Sequence, residues 1–323
     1  MSTRRHFMGR SAAAALACAA PWAVHAAPQK TLRIGYQKFN TINLLKGTGR
    51  LEKALAPLGV AVKWAEFPSA PATYEALNTG NIDIAHAADT NTVFAQSSGI
   101  RFAYLAVEVP NPKGLAILAR KDSSIRDIAD LRGKTFVTGR GWTPQYLALR
   151  ALEEKGLSYD DIKPAYVSVV ADARLAFESG RADAVGLWEP FLAAAELSGD
   201  VHVLRDAQRL AANRTVYVGN PDYAASQAEV LTVFFGELQQ TQQWAQQHPE
   251  EVAARFAPQL GVDEKILLRA SQRRNYGVER ITPQVIAEQQ KVADAFHTLK
   301  LIPKPVAVSE ARFADASRFL RAI

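Results

Sequence analysis

Four short segments of this chain combine amide or aromatic side chains with helix-capping residues, proline or glycine in a pattern suited to holding a small anion. They are Gly35-Tyr36-Gln37-Lys38, Glu66-Phe67-Pro68-Ser69-Ala70-Pro71, Ala87-Ala88-Asp89-Thr90 and Gly139-Arg140-Gly141-Trp142-Thr143-Pro144. Each follows an apolar, strand-like run, and the last three open a helical pattern. A helix N-terminus presents amide N–H groups without intrahelical partners and the positive end of a dipole. Several such ends aimed at one gap make an anion site that needs no metal and no base. Gln37 adds an amide donor and Tyr36 an aromatic wall. Pro71 and Pro144 suit the first helical turn. Ser69, Asp89 and Thr143 have N-cap character, and for Asp89 capping its own helix is the plainer role. Gly141 permits close backbone approach, while Arg140 reads as solvated. Trp188-Glu189-Pro190 opens a further helix. Trp188 could pack on the aliphatic part of a ligand, and Glu189 could accept from an ammonium or help close the cleft.

Other chemistries find no support. There is no G-x-S-x-G elbow, H-E-x-x-H pair, P-loop or dinucleotide fingerprint. His86, His202, His248 and His297 show no metal-ligand spacing. Cys18 is the one cysteine, so no thiol remains once the N-terminal segment is removed. The expectation is a binding protein with no catalytic residue, no metal and no cofactor.

Removal of that segment is itself expected. Arg4-Arg5 with Phe7, the apolar run 12–20 and the small residues Ala23-Val24-His25-Ala26 form a basic region, an apolar region and a cleavage site. The paired arginines suggest the twin-arginine route. The apolar run is too short to span a bilayer, and Ala15-Leu16-Ala17-Cys18 is only a faint lipoprotein box. Cleavage near Ala26 delivers a periplasmic chain of 297 residues, whose net charge falls from +6 to +3 with the loss of three arginines. So mild a charge does not suggest a nucleic-acid partner.

The turns must be held by alternating elements. Strand-like runs at 31–36, 60–66, 82–85 and 102–107 alternate with helical ones at 44–55, from Pro71 to Asn78, and from Asp89. A second series follows, with strands at 115–119, 135–138, 165–168, 182–185, 201–204 and 215–218, and helices at 143–155 and 172–179. Beyond Ser226 the pattern is almost wholly helical. This predicts an α/β chain with two lobes, each a mixed, mostly parallel sheet flanked by helices. The boundaries are 1–26 for the export segment, 27–114 with 219–323 for the first lobe, and 115–218 for the second. Crossings are expected at 108–114 and 218–221. One internal similarity, Gly80 with Asp83 and Gly180 with Asp183, reads as a shared helix-cap-and-strand device.

At these residues the chain resembles the periplasmic binding proteins for aliphatic sulfonates, with taurine-binding proteins as close relatives. The likeness runs through Leu32 to Lys38, Glu66-Phe67-Pro68 with Pro71, Gly80-Asn81-Ile82-Asp83-Ile84, Asp130-Leu131-Arg132-Gly133-Lys134, Ala171-Asp172-Ala173-Arg174 and Trp188-Glu189-Pro190, across nearly all of the chain after the export segment. The resemblance implies the two-lobed type II binding-protein fold. It implies a monomer that captures a sulfonate and hands it to the membrane permease and ATPase of an ABC importer, in the service of sulfur metabolism. It also implies a ligand held by Gln37, Ser69, Ala70, Ala88, Asp89, Gly141, Trp142 and Thr143, with Trp188 and Glu189 completing the wall. The chain departs from the family pattern at Ala70, His86-Ala87-Ala88 and Trp142-Thr143-Pro144. Nitrate, thiamin pyrimidine precursors and other small solutes are bound by related proteins. A thiamin-pyrimidine-synthase-like enzyme is the competing class, disfavoured by export and by the missing cysteines.

Overall fold

Strands covered on both faces read as unbroken apolar runs, and the central strands here are buried along almost their whole length. The computed structural model describes residues 30–320, so the export segment and Cys18 lie outside the described residues. The first series contains β1 (Lys30–Tyr36), α1 (Ile42–Thr48), α2 (Arg50–Leu55), β2 (Val60–Glu66), α3 (Ala70–Asn78), β3 (Ile84–Ala88), α4 (Asp89–Ser97) and β4 (Ala103–Glu108). The second contains β5 (Leu115–Arg120), β6 (Thr135–Thr138), α5 (Thr143–Glu154), β7 (Lys163–Tyr166), α6 (Val170–Glu178), β8 (Ala184–Trp188), α7 (Phe191–Ser198) and β9 (Val201–Asp206). Then come β10 (Thr215–Gly219), α8 (Pro221–Ser226), α9 (Ala228–Gln247), α10 (Pro249–Leu260), α11 (Glu264–Arg273), β11 (Val278–Glu279) and α12 (Pro283–Thr298).

Two mixed sheets result, in the orders β11-β4-β10-β3-β1-β2 and β7-β6-β8-β5-β9. In the first, β1 runs parallel to β2 and β3, and β10 runs antiparallel between β3 and β4. In the second, β6 is parallel to β7 and β8, and β5 is antiparallel to β8 and β9. The α/β class and the two mixed sheets are therefore as expected, although among the described residues four strand pairings are parallel and five antiparallel.

One boundary needs correcting. The strand Thr215 to Val218 was expected to close the second lobe, yet β10, Thr215–Gly219, pairs with β3 in the first sheet. The return crossing thus falls between Asp206 and Thr215. Local periodicity identifies a strand but not its distant partner, and this strand's partners lie more than a hundred residues earlier. The helix expected at 44–55 also divides, because Gly49 takes a left-handed backbone (φ +65°) that ends α1 and starts α2.

Successive side chains take opposite faces. In β5, Ile117 joins the core that holds Leu147, Ala151 and Leu152 of α5, whereas Leu118 packs with Ala173, Phe177 and Leu192 from α6 and α7. In the first sheet Leu32, Ile34, Leu105 and Tyr217 pack on Leu231, Phe234, Phe235 and Leu238 of α9.

The internal similarity is a strand clamp. Asp83 donates its N–H to Arg33 O at 2.8 Å, and its Oδ2 accepts the Arg33 N–H at 2.7 Å. Asp183 does the same with Thr135, at 2.9 and 2.8 Å. Each clamp fixes where a strand emerges, and so where its carboxyl end delivers the next turn.

Candidate functional site

The carboxyl ends of β1, β2, β3, β6 and β8 face one cleft between the sheets, where open α/β sheets present their ligands. It encloses about 450 Å³. Gln37, Ser69, Ala70, Ala88, Trp142, Thr143, Trp188 and Glu189 all line it. The turns flagged in the sequence are therefore brought together.

Two helix ends supply open donors. Ser69 is extended (φ −158°, ψ 159°) and no side chain caps α3, whose second residue is Pro71. The Thr73 amide bonds to Ser69 O, which leaves the Ala70 and Ala72 amides at this end. At α5, Trp142 is extended (ψ 154°) and again no side chain caps the helix. The Gln145 and Tyr146 amides both take Trp142 O, and Pro144 has no N–H, so Thr143 carries the remaining donor. The Thr143 hydroxyl meets that of Thr90 at 3.2 Å, tying α5 to α4. Just beyond β1, the Gln37 amide N–H donates to His86 Nε2 at 3.3 Å, and its side chain reaches His86 O at 3.4 Å.

Two expected residues do not line the cleft. Asp89 sits with its N–H on Arg214 O at 3.1 Å and its carboxylate on the Thr90 and Arg214 amides at 2.8 and 3.2 Å. It occupies its own helix end, and it borders a separate cavity of about 330 Å³ behind the cleft. Burial pushes its carboxyl up to about 6, against the pull of those two amides. Gly141 has its N–H on Gln145 Oε1 at 2.6 Å. Its glycine is required by φ +76° and by Phe94, whose ring a Cβ would meet at 2.2 Å. Gly141 shapes the turn and is not among the residues that line the cleft.

Glu189 is buried at the cleft wall. Its Oε2 accepts the Ala193 N–H at 3.1 Å, and its Oε1 lies 3.0 Å from Arg273 Nε as an ion pair. Burial pushes its carboxyl up to about 7, opposed by the Arg273 charge and the Ala193 amide. Arg273 also pairs with Glu196, which Arg269 holds at 2.8 Å. These bonds join α11, packed on the first sheet's helices, to α7 of the second sheet. They tie Glu189 by charge to a helix packed on the other sheet.

Sequence reasoning missed Arg274 and Glu108. Arg274 lines the cleft, and its Nη2 donates to Glu108 Oε2 at 2.6 Å. Glu108 Oε1 accepts from Thr41, from the Tyr217 hydroxyl at 2.7 Å and from Gln242 at 3.0 Å. Arg214, also lining, is held by Glu279 and Glu288 at 2.6 and 3.3 Å. The half-buried arginines in the wall thus carry their own counter-ions, and an anion in the cleft meets N–H groups more than net charge. Burial holds the His86 ring down to about 4, so it is neutral at neutral pH. Among the described residues no group of three His, Cys, Asp or Glu could hold a metal, and no helix is long and apolar enough to cross a membrane.

A family model described as NMT1/THI5 like matches residues 56–252. A curated relative from Escherichia coli (strain K12), named for aliphatic sulfonate binding, is 33% identical over 282 residues, covering 87% of this chain and 88% of its own. The crystal structure of the periplasmic aliphatic sulphonate binding protein SsuA from Escherichia coli superposes with a TM-score of 0.84 at 33% identity, over 89% of this chain and 92% of that one. The alkanesulfonate-binding protein SsuA from Xanthomonas axonopodis pv. citri, bound to MOPS, gives 0.81 at 33% identity, over 89% and 99%. The desulfurization enzyme DSZB shares the fold alone, at 16% identity and a TM-score of 0.63.

Proposed function

Because this chain belongs to the aliphatic sulfonate-binding proteins of the NMT1/THI5-like family, we propose that it is the receptor of an ABC importer, capturing a sulfonate between its two sheets for a membrane permease and ATPase. A solved relative from Escherichia coli is a periplasmic binding protein, and the export reading of residues 1–26 would place this chain in the same compartment. The observation that carries the reading is the pair of uncapped helix ends, α3 at Ala70 and α5 at Thr143, that line one cleft from opposite sheets.

A sulfonate keeps its charge at any physiological pH and offers three acceptor oxygens, so it requires donors and no base. Amide donors at helix ends match it. Charge-assisted hydrogen bonds contribute roughly 1.5–3 kcal/mol each, and three or four of them support a complex of micromolar affinity, about 8 kcal/mol, after ordering costs. Self-neutralised arginines in the wall favour a monoanion. The protein acts as a binder, since the lining offers donors and rings without an activated nucleophile.

Titration calorimetry with hexanesulfonate tests this. One molecule should bind per chain, and more tightly at pH 6 than at pH 8. Glu189 carries less charge at the lower pH while Arg273 and the sulfonate keep theirs, and the gain should reach up to about tenfold. Glu189→Gln should flatten the profile. Absence of binding to any sulfonate contradicts the function. PH-independent binding removes Glu189 from the ligand's field.

A further inference from the structure

The cleft is roomier and more aromatic than a short aliphatic sulfonate requires. A volume of about 450 Å³ lies in the range that encloses ring-bearing small molecules. One wall is a continuous run of rings. Trp142 meets Trp188 at 5.2 Å between centroids and an interplanar angle of 86°. Trp188 meets Phe191 at 5.6 Å and 83°. Phe191 meets Phe39, on the opposite side of the cleft, at 5.4 Å and 76°. All four are partly exposed and line the cavity.

The run is anchored at both ends. The Trp142 indole lies on Gly139, where a Cβ would come within 2.0 Å of Cε2. Phe39 adopts φ +64°, a left-handed backbone uncommon for a bulky side chain. Its turn is held by Asn43 Nδ2 donating to Gln37 O and Asn40 O at 2.8 and 3.0 Å. Aromatic rings prefer edge-to-face or offset contact with one another. A run already built of perpendicular neighbours is extended by one more flat ring. The buried carboxylate of this wall, Glu189, pairs with the Arg273 charge and accepts the Ala193 N–H through Oε2, while its Oε1 makes no hydrogen bond, so an ammonium such as that of taurine would have to compete with Arg273 for it.

We infer that the preferred ligand is an arylsulfonate, with the sulfonate at the α3 and α5 ends and its aromatic ring against Trp142, Trp188 and Phe191. This rests on the sulfonate reading above and narrows it. Trp142 and Phe191 are then the residues that set specificity for the organic part.

The test compares dissociation constants for benzenesulfonate, hexanesulfonate, taurine and benzoate by calorimetry on the exported, processed protein. Benzenesulfonate should bind about tenfold more tightly than hexanesulfonate, with taurine weakest. In Trp142→Leu and in Phe191→Leu the benzenesulfonate preference should fall toward one, and Trp142→Phe should restore most of it. Two separate leucine variants keep the test alive if one fails to fold. Hexanesulfonate binding as tightly as benzenesulfonate, or an unchanged preference in both leucine variants, overturns the arylsulfonate inference and leaves the sulfonate reading standing. Benzoate binding as well as benzenesulfonate, or no sulfonate binding at all, overturns both.

Discussion

Glu108→Ala should destabilise the fold by about 3–5 kcal/mol, the cost of leaving a buried charge without its partner. Glu108 is 2% exposed, and the Arg274 guanidinium it neutralises is half-buried in the wall of the cleft. The same carboxylate collects Thr41, Tyr217 and Gln242. It therefore joins the entry to α1, the strand β10, the helix α9 and the segment after α11. Its removal takes the main acceptor from three donors besides the arginine, leaving Gln242 and Tyr217 with the Thr41 hydroxyl at 3.2 and 3.5 Å. Urea unfolding should show the midpoint falling with little change in slope. Glu108→Leu with Arg274→Met should recover much of the loss, since a well-packed apolar pair can replace a buried ion pair. A loss below about 1 kcal/mol in the single variant would mean that Arg274 reaches water.

Ala70→Pro should weaken sulfonate binding by roughly ten- to 150-fold while the protein stays folded, the loss of one charge-assisted hydrogen bond. Ala70 is the first residue of α3, where proline fits because that N–H has no intrahelical partner. The preceding Ser69 already has the extended backbone that a residue before proline requires. The substitution thus deletes a donor and little else. Ala70→Gly keeps the amide and should bind nearly as the parent does. Equal affinity in the proline variant, measured by calorimetry beside an unchanged melting temperature, would remove the α3 end from the site.

The positions of the site were legible where strand and helix periods meet. The end of an apolar run followed by Ser69-Ala70-Pro71 or Trp142-Thr143-Pro144 locates a strand's carboxyl end and a helix's first turn, and both line the cleft. What periodicity does not encode is how a polar group at such a turn spends its hydrogen bonds. Asp89 reads first as a cap of its own helix and is placed at the ligand only by the resemblance; the neighbouring amides of Thr90 and Arg214 claim its carboxylate. Gly141 looked like a point of ligand approach, and Phe94 fills the space its missing Cβ leaves. Non-local pairing was equally hidden. The strand at Thr215–Gly219 has an ordinary apolar pattern, and nothing in it says that it pairs with β3 and β4. Arg274, Phe39 and Phe191 reach the cleft from a segment after a helix, a left-handed turn and the start of α7, places where sequence spacing carries no directional signal. The Gly80 and Gly180 similarity was read as packing, and the clamps of Asp83 and Asp183 give that packing its hydrogen bonds.

The central claim is that backbone amides at two helix ends, one beside each sheet, grip the anionic head of the ligand together. Amide nitrogen and proton chemical shifts during titration with a sulfonate read those groups directly. The Ala70 and Thr143 amide protons should both move downfield, saturating together at one sulfonate per chain, and the matching alcohol should leave them in place. Saturable binding with both amides unmoved would contradict the account.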